Sequence, residues 1–277
     1  MTRPARMLPD LPNALRDGGW LARRLDGRRP AVFLDYDGVL TPIVDRPEDA
    51  VMSEDMRSVV RALARRCPVC VVSGRDRAVV QRLMGVDDLV VAGSHGFDIW
   101  SPASGTLAHP AAGGFEDLIA RVTRRIRDDV GSLSGVVIEP KKASVAVHFR
   151  LAAPADRDKV AAAVEALLAG HSGELKVMPG KLVSEIQPKI DWDKGQAVLY
   201  LLQALGLDDP GVLPVYIGDD ITDEDAFRVV RERGAGVIVG EAGDPEMFSR
   251  STAASLALAS PAQVRQFLAM LTNGLAG

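Results

Sequence analysis

The sequence predicts an α/β protein: a parallel sheet wrapped by helices, with a smaller α+β module inserted into the chain. Three observations predict it. Short, continuous apolar runs recur, each ending in a glycine, serine or aspartate. Segments with helical spacing lie between them. Between residues 111 and 187 the grammar changes to helix–strand–strand, twice. Apolar runs without alternation read as strands buried on both faces, which parallel sheets require.

Taken in order, Ala31–Leu34 runs into Asp35, Val69–Val72 into Ser73-Gly74, and Leu89–Ala92 into Gly93-Ser94-His95. Leu213–Ile217 runs into Gly218-Asp219-Asp220, and Gly236–Val239 into Gly240. Met56, Val59, Val60 and Leu63 place a helix before the second run, and Val198, Leu201, Leu202 and Leu205 another before the fourth. In open sheets of this kind, ligands bind beyond the carboxyl ends of the strands, where each polar tail named above would lie. In the middle of the chain, Phe115, Leu118, Ile119, Val122 and Ile126 mark one amphipathic helix, and Val160, Ala163, Val164, Leu167 and Leu168 a second. The first is followed by strand-like pieces at 135–139 and 143–150. The second is followed by pieces at 174–178 and 181–187, joined by a Pro179-Gly180 turn. The expected division is a discontinuous core, 1–110 with 188–277, around a module at 111–187. The first thirty residues, with seven arginines and three aspartates, are expected to form a leading helix lying on the core.

Composition narrows the function. Over 277 residues, 33 basic and 37 acidic side chains leave a net charge of −4, too mild for nucleic acid or an anionic membrane as partner. No apolar run approaches the roughly 18 residues of a membrane span, and no unbroken apolar segment near the start suggests a secretory signal. The expectation is a cytoplasmic monomer. Cys67 and Cys70 form a C-x-x-C, but a lone pair supplies two ligands where structural zinc takes four. Cys70 opens an apolar run and reads as a core residue.

The chemistry concentrates in four pieces: Asp35-Tyr36-Asp37-Gly38-Val39-Leu40-Thr41, Ser73-Gly74-Arg75-Asp76, Asp193-Lys194-Gly195, and Gly218-Asp219-Asp220-Ile221-Thr222-Asp223. A hydroxyl and amides at a strand-to-helix turn can hold an anion, and a lysine can reach a phosphate oxygen as a point charge. Five aspartates on one rim are costly: two like charges 4 Å apart repel by about 4 kcal/mol at an effective dielectric of 20. They require raised pKa values or a divalent cation. Oxygen ligands with an incoming phosphate suit magnesium. Together these pieces describe a phosphoryl-transfer site in which a carboxylate can act as nucleophile.

In this order the four pieces resemble the haloacid dehalogenase superfamily, with its Rossmann-like core and inserted α+β (C2-type) cap. Further features resemble its trehalose-6-phosphate phosphatase family: Gly93-Ser94-His95-Gly96, Glu139-Pro140-Lys141, His148-Phe149-Arg150, and Pro179-Gly180-Lys181 with Glu185 and Pro188. The resemblance covers residues 30 to 260 and implies a role for each matching residue. Asp35 would attack phosphorus and form an aspartyl-phosphate. Asp37 would protonate the leaving sugar oxygen and then deprotonate water. Ser73 and Lys194 would hold the phosphoryl oxygens. Magnesium would be bound by Asp35, the backbone carbonyl of Asp37 and Asp219, with Asp220 and Asp223 as direct or water-mediated ligands. Glu139, Lys141 and Glu185 would hold sugar hydroxyls, with Gly74, Arg75, Ser94, His95, Gly96 and Lys181 at the mouth.

The implied reaction is the last step of trehalose biosynthesis, functionally linked to a trehalose-6-phosphate synthase. The alternative substrates are sucrose-phosphate or mannosyl-phosphoglycerate, which share the core motifs. A catalytically silent binding module would have lost some of these groups, whereas Asp35, Asp37, Ser73, Lys194 and Asp219 are all present. A phosphorylated receiver domain lacks the inserted module and is roughly half as long.

Overall fold

The computed structural model describes residues 6–16, 23–107, 114–180, 182–240 and 251–275. The chain divides into two compact units: Met1–Leu107 with Asp193–Gly277, and Ala108–Trp192. These limits lie three to five residues from those read off the sequence. Residues 188–192 stay with the second unit because the Lys189 amide donates to the Glu174 carbonyl at 2.7 Å and Lys176 Nζ to that of Ile190 at 3.1 Å.

The larger unit is built on an eight-stranded sheet. Its strands, numbered along the chain after β1 (Arg6–Met7), are β2 (Arg29–Leu34), β3 (Val69–Val72), β4 (Val90–Gly93), β5 (Asp98–Ser101), β6 (Gly105–Leu107), β11 (Val212–Gly218), β12 (Ala235–Val239) and β14 (Leu256–Leu258). The order across the sheet is β14-β12-β11-β2-β3-β4-β5-β6. All pairings from β14 to β4 are parallel, whereas β4–β5 and β5–β6 are antiparallel. Ala31, Val32, Phe33 and Leu34 are wholly buried, as the unbroken apolar run demands. Strand β2 lies between β3 and β11, so the chain leaves it in opposite directions on its two sides. A crevice opens at such a switch point beyond the strand's carboxyl end, where Asp35 follows.

Helices flank this sheet: α1 (Glu54–Ala64), α2 (Arg77–Met84), α5 (Lys194–Ala204), α6 (Asp223–Val230) and α7 (Pro261–Gly274). The first, α1, starts where Ser53 accepts from the Met56 amide, with Glu54 and Asp55 in its first turn. Its Met56, Val60 and Leu63 join the core made by β2, β3, β11 and β12.

The start of the chain departs from the expected leading helix. Strand β1 pairs antiparallel with β13 (Ser251–Thr252), and Leu8–Asp10 form one 3₁₀ turn. Only residues 23–25 are helical among the described residues of this stretch; positions 17–22 lie outside them. Pro9 and Pro12 lack an amide donor and disfavour helix in the residue before them. The segment instead stays extended, exchanging bonds with Ala257 through the Pro12 carbonyl and the Ala14 amide, and buries Leu8, Leu11 and Ala14.

The smaller unit has a four-stranded antiparallel sheet in the order β7-β8-β10-β9, from β7 (Val137–Pro140), β8 (Val145–His148), β9 (Leu175–Gly180) and β10 (Val183–Pro188). Helices α3 (Glu116–Val130) and α4 (Pro154–Gly170) complete it. One sheet face contributes Val145, Val147, Ile186, Ile138 and Val177 to a core with Leu118, Val122, Ile126, Val160 and Val164 of the helices. The β9–β10 hairpin does not turn at Pro179-Gly180. The register pairs Gly180 with Val183 and Pro179 with Ser184, which leaves both residues in the ladder. Lys181 lies outside the described residues. Among the described residues no helix is long and apolar enough to cross a membrane.

Candidate active site

The site begins where β2 ends. The Asp35 amide still donates to the Ile217 carbonyl of β11, at 2.9 Å, and fixes the residue to the sheet edge. The chain then turns: the Leu40 and Thr41 amides both return to the Tyr36 carbonyl. Gly38 makes the turn possible with φ +67°, and a Cβ there would lie 1.9 Å from Asp219 Oδ2. Position 38 therefore tolerates no side chain, on both conformational and steric grounds.

Asp35 is 5% exposed. Its Oδ1 accepts from the Tyr36 amide at 2.7 Å and its Oδ2 from Lys194 Nζ at 2.8 Å. Lys194 is the first residue of α5, whose N-cap Asp193 accepts from the Gln196 amide at 2.8 Å. Gly195 follows because a Cβ there would meet the Asp225 carbonyl at 2.7 Å. The lysine also donates to Asp223 Oδ1 at 2.7 Å. Burial alone would lower its pKa, but the charges of Asp223 and Asp35 outweigh burial and raise it, so it remains an ammonium.

Asp223 is saturated. Besides Lys194, its Oδ1 accepts from the Tyr216 hydroxyl at 2.6 Å, and its Oδ2 accepts from the Asp219 and Asp220 amides at 2.9 Å each. This carboxylate organises the loop after β11. The Asp219 carboxylate receives no hydrogen bond from the described residues. Oxygens of Asp35, Asp219 and Asp223 lie within 4.8 Å of one another. Burial, then repulsion from Asp35 and Asp223, pushes Asp219 up to about 9. Burial, partly offset by Lys194, pushes Asp35 up to about 7. An unpartnered carboxylate beside a second carboxylate, each offering oxygen, is a donor set that fits a divalent cation. Of the five aspartates expected on one rim, three meet. Asp220 is exposed, with Oδ1 bound by the Ile221 amide at 2.6 Å. The Asp37 carboxylate is gripped by Arg75, Nε to Oδ2 at 2.6 Å and Nη2 to Oδ1 at 2.7 Å.

These shifts carry a prediction. Both carboxyls hold protons in the folded chain that they lose when unfolded, near the ordinary value of 3.8. The stability they confer is present below that value and is lost as pH rises through about 7 and then about 9. In chelator, the melting temperature should fall between pH 5 and pH 9. A divalent cation should raise it by a few degrees at pH 9, on the order of 3 °C per kcal/mol, and by less at pH 5. Equal cation-induced gains at the two pH values would refute this.

The register aligns Leu34 with Val71, which places Ser73 one step beyond the row of Asp35 on the neighbouring strand. Ser73 is buried; its Oγ accepts from the Arg75 amide at 3.2 Å and its carbonyl from the His95 amide at 2.8 Å. Ser94–Gly96 form one 3₁₀ turn in which Ser94 and His95 have φ of +49° and +55°. Two consecutive non-glycine residues rarely share that conformation. The turn is held by Ser94 Oγ donating to Asp76 Oδ1 at 2.7 Å and by its amide donating to the Arg75 carbonyl at 2.7 Å. Gly74 makes room for His95: a Cβ there would lie 2.7 Å from the imidazole Cε1.

In the smaller unit, Glu139, Ala146, Glu185 and Met178 form one row across four strands, on the sheet face away from its helical core. Lys141 Nζ lies 3.2 and 3.1 Å from the two Glu185 oxygens, and the Ser144 hydroxyl donates to Glu185 Oε1 at 2.7 Å. His148 Nε2 lies 2.9 Å from Glu139 Oε2. That hydrogen bond leads the causes that lower the Glu139 pKa, so the carboxylate stays ionised. Sequence reasoning assigned no role to Tyr216, Ser144 or the His148 side chain. A tyrosine inside a wholly buried strand was the available signal for Tyr216, since its hydroxyl needs a partner there. Trp192 is buried, at 3% exposure. Cys67 and Cys70 are buried free thiols, pushed by burial up to about 12.

Residues 33–262 match the trehalose-phosphatase family. An uncharacterized glycosyl hydrolase of Mycobacterium tuberculosis is 44% identical over 270 residues, 96% of this chain but only 20% of that protein. The chain thus spans about a fifth of that relative. A trehalose-phosphate phosphatase of Mycolicibacterium paratuberculosis is 42% identical over 277 residues, 99% of this chain and 69% of its own length. Among solved structures, the C-terminal domain of the Candida albicans trehalose-6-phosphate phosphatase shares the fold with a TM-score of 0.74 at 24% identity, covering 98% of this chain and 99% of that one. The fold extends to solved haloacid dehalogenase-like hydrolases. With motifs, fold and 42% identity over 99% of its length in agreement, the chain belongs to the trehalose-phosphatase family.

Proposed function

We propose that this chain hydrolyses trehalose 6-phosphate to trehalose and inorganic phosphate through an aspartyl-phosphate on Asp35. The observation that carries the reading is the Asp35 carboxylate itself, fixed at the switch point by Lys194 and the Tyr36 amide beside the unpartnered Asp219. An Asp35 oxygen attacks phosphorus, the bond from phosphorus to the sugar oxygen breaks, and the proton on Asp37 passes to that oxygen. Water then attacks the aspartyl-phosphate, giving its proton to Asp37 and releasing Asp35 and phosphate. Lys194 and Ser73 hold the phosphoryl oxygens. A carboxyl that carries a proton cannot also accept two charge-assisted bonds, so the acid step requires Arg75 to release one Asp37 oxygen.

The metal, which we take to be magnesium, would be held by Asp35, Asp219 and the Asp37 carbonyl, with Asp223 ordering the loop. It would supply positive charge against the phosphoryl oxygens. Gly74, Arg75, Ser94, His95 and Gly96 would line the mouth, with Lys181. Glu139, Lys141 and Glu185 would take the sugar hydroxyls.

The test separates the sugar from the phosphate. A charged partner typically gives about 1.5–3 kcal/mol per hydrogen bond. Alanine at Glu139, Lys141 or Glu185 should therefore lower kcat/KM for trehalose 6-phosphate by roughly ten- to a hundredfold. Hydrolysis of a small aryl phosphate, which makes no such contacts, should hardly change. A parallel fall for both substrates would assign these residues to the fold instead. No fall for either would leave a different capped-phosphatase substrate, such as sucrose-phosphate or mannosyl-phosphoglycerate, in its place.

A further inference from the structure

Apart from the Asp35 site, the smaller unit gathers cations around a groove of about 450 Å³. One wall is a face of α3 bearing Glu116, Thr123, Arg124 and Arg127; the other is the end of β7, with Lys141 and Lys142 just beyond it. Four cations line the groove against one carboxylate, and its size lies within the roughly 300–1,000 Å³ of small-molecule pockets. Thr123 is the second observation. It is 6% exposed, and its Oγ1 has no hydrogen-bond partner among the described residues. A helical threonine commonly turns its hydroxyl back to the carbonyl four residues earlier; Thr123 does not. The groove therefore holds a buried donor without an acceptor, next to two guanidinium groups whose planar forks suit oxyanions.

We propose that this groove binds a phosphate group, free or carried on a small ester, through the Thr123 hydroxyl and the Arg124 and Arg127 guanidinium groups.

The experiment is an NMR titration of the whole metal-free chain with inorganic phosphate and, separately, with glucose 6-phosphate. Saturable shifts at Thr123, Arg124 and Arg127 are expected. Saturation by phosphate alone identifies the free anion as ligand, and saturation by the sugar phosphate alone identifies the ester. R124A/R127A should weaken this binding by about tenfold or more, and T123V by several-fold, while responses around Asp35 persist. No saturable shift with either probe, or shifts indifferent to both variants, would overturn the site. The NMR shifts do not depend on turnover, so failure of the groove and failure of the phosphatase reading are distinguishable.

Discussion

Asp35→Asn should fold normally and lose turnover by roughly 10⁴- to 10⁶-fold, the scale on which removing a nucleophile acts in enzymes that use one. The amide has the carboxylate's shape, and its oxygen can still accept from the Tyr36 amide, which now binds Oδ1 at 2.7 Å. It cannot attack phosphorus. The substitution also removes a charge that the fold holds at a cost, since burial pushes Asp35 up to about 7. Metal-free Asp35→Asn should consequently melt no lower than the parent chain at pH 8. Phosphate release and thermal melting check the two halves together. Turnover within tenfold of the parent would remove Asp35 from the nucleophile's role, and a collapsed melting transition would show that the loss came from the fold.

Lys194→Ala should damage both activity and stability. The lysine is 3% exposed and is the only residue that bridges Asp35 and Asp223 among the described ion pairs. Removing one partner of a buried pair typically costs about 3–5 kcal/mol, because the remaining charge stays in low dielectric. For a chain of this size that lowers the melting temperature by on the order of 10 °C. The deficit should be smaller at pH 5 than at pH 8. Without the ammonium, the Asp35 carboxyl rises still further above its unfolded value, so it keeps its proton at the lower pH and the buried repulsion is relieved. Melting curves of variant and parent at both pH values measure this. A deficit independent of pH would mean that Lys194 contributes packing rather than charge.

The larger fold was legible because its central strands are buried on both faces and so leave continuous apolar runs. The edges were not. Asp98–Ser101, Gly105–Leu107 and Leu256–Leu258 are three or four residues long and mixed in character, so neither periodicity nor length marks them. Asp35, Lys194, Asp219 and Asp223 were legible by position, each directly after a strand or at a helix start. What spacing could not show is the division of labour among the aspartates. Asp223 spends all its lone pairs on Lys194, Tyr216 and two amides, while Asp219 spends none on the described residues. That difference depends on where backbone amides point after β11. Likewise, the pairing of Glu139 with His148 and of Glu185 with Lys141 and Ser144 follows from sheet register, which the sequence constrains only through its alternation.

The row through Glu139, Ala146 and Glu185 makes the sheet a gauge. Two strand spacings separate the acids, roughly 9–10 Å between backbones, and that interval is set by ladder hydrogen bonds rather than by side-chain rotamers. Ala146, contributing only a methyl group, is the floor between the two jaws. Shortening either jaw by one methylene, as aspartate would, widens the opening without moving the strands. Enlarging the floor, as Ala146→Leu would, fills it from below. The opening between the two acids is therefore adjustable at three positions while the ladder stays fixed.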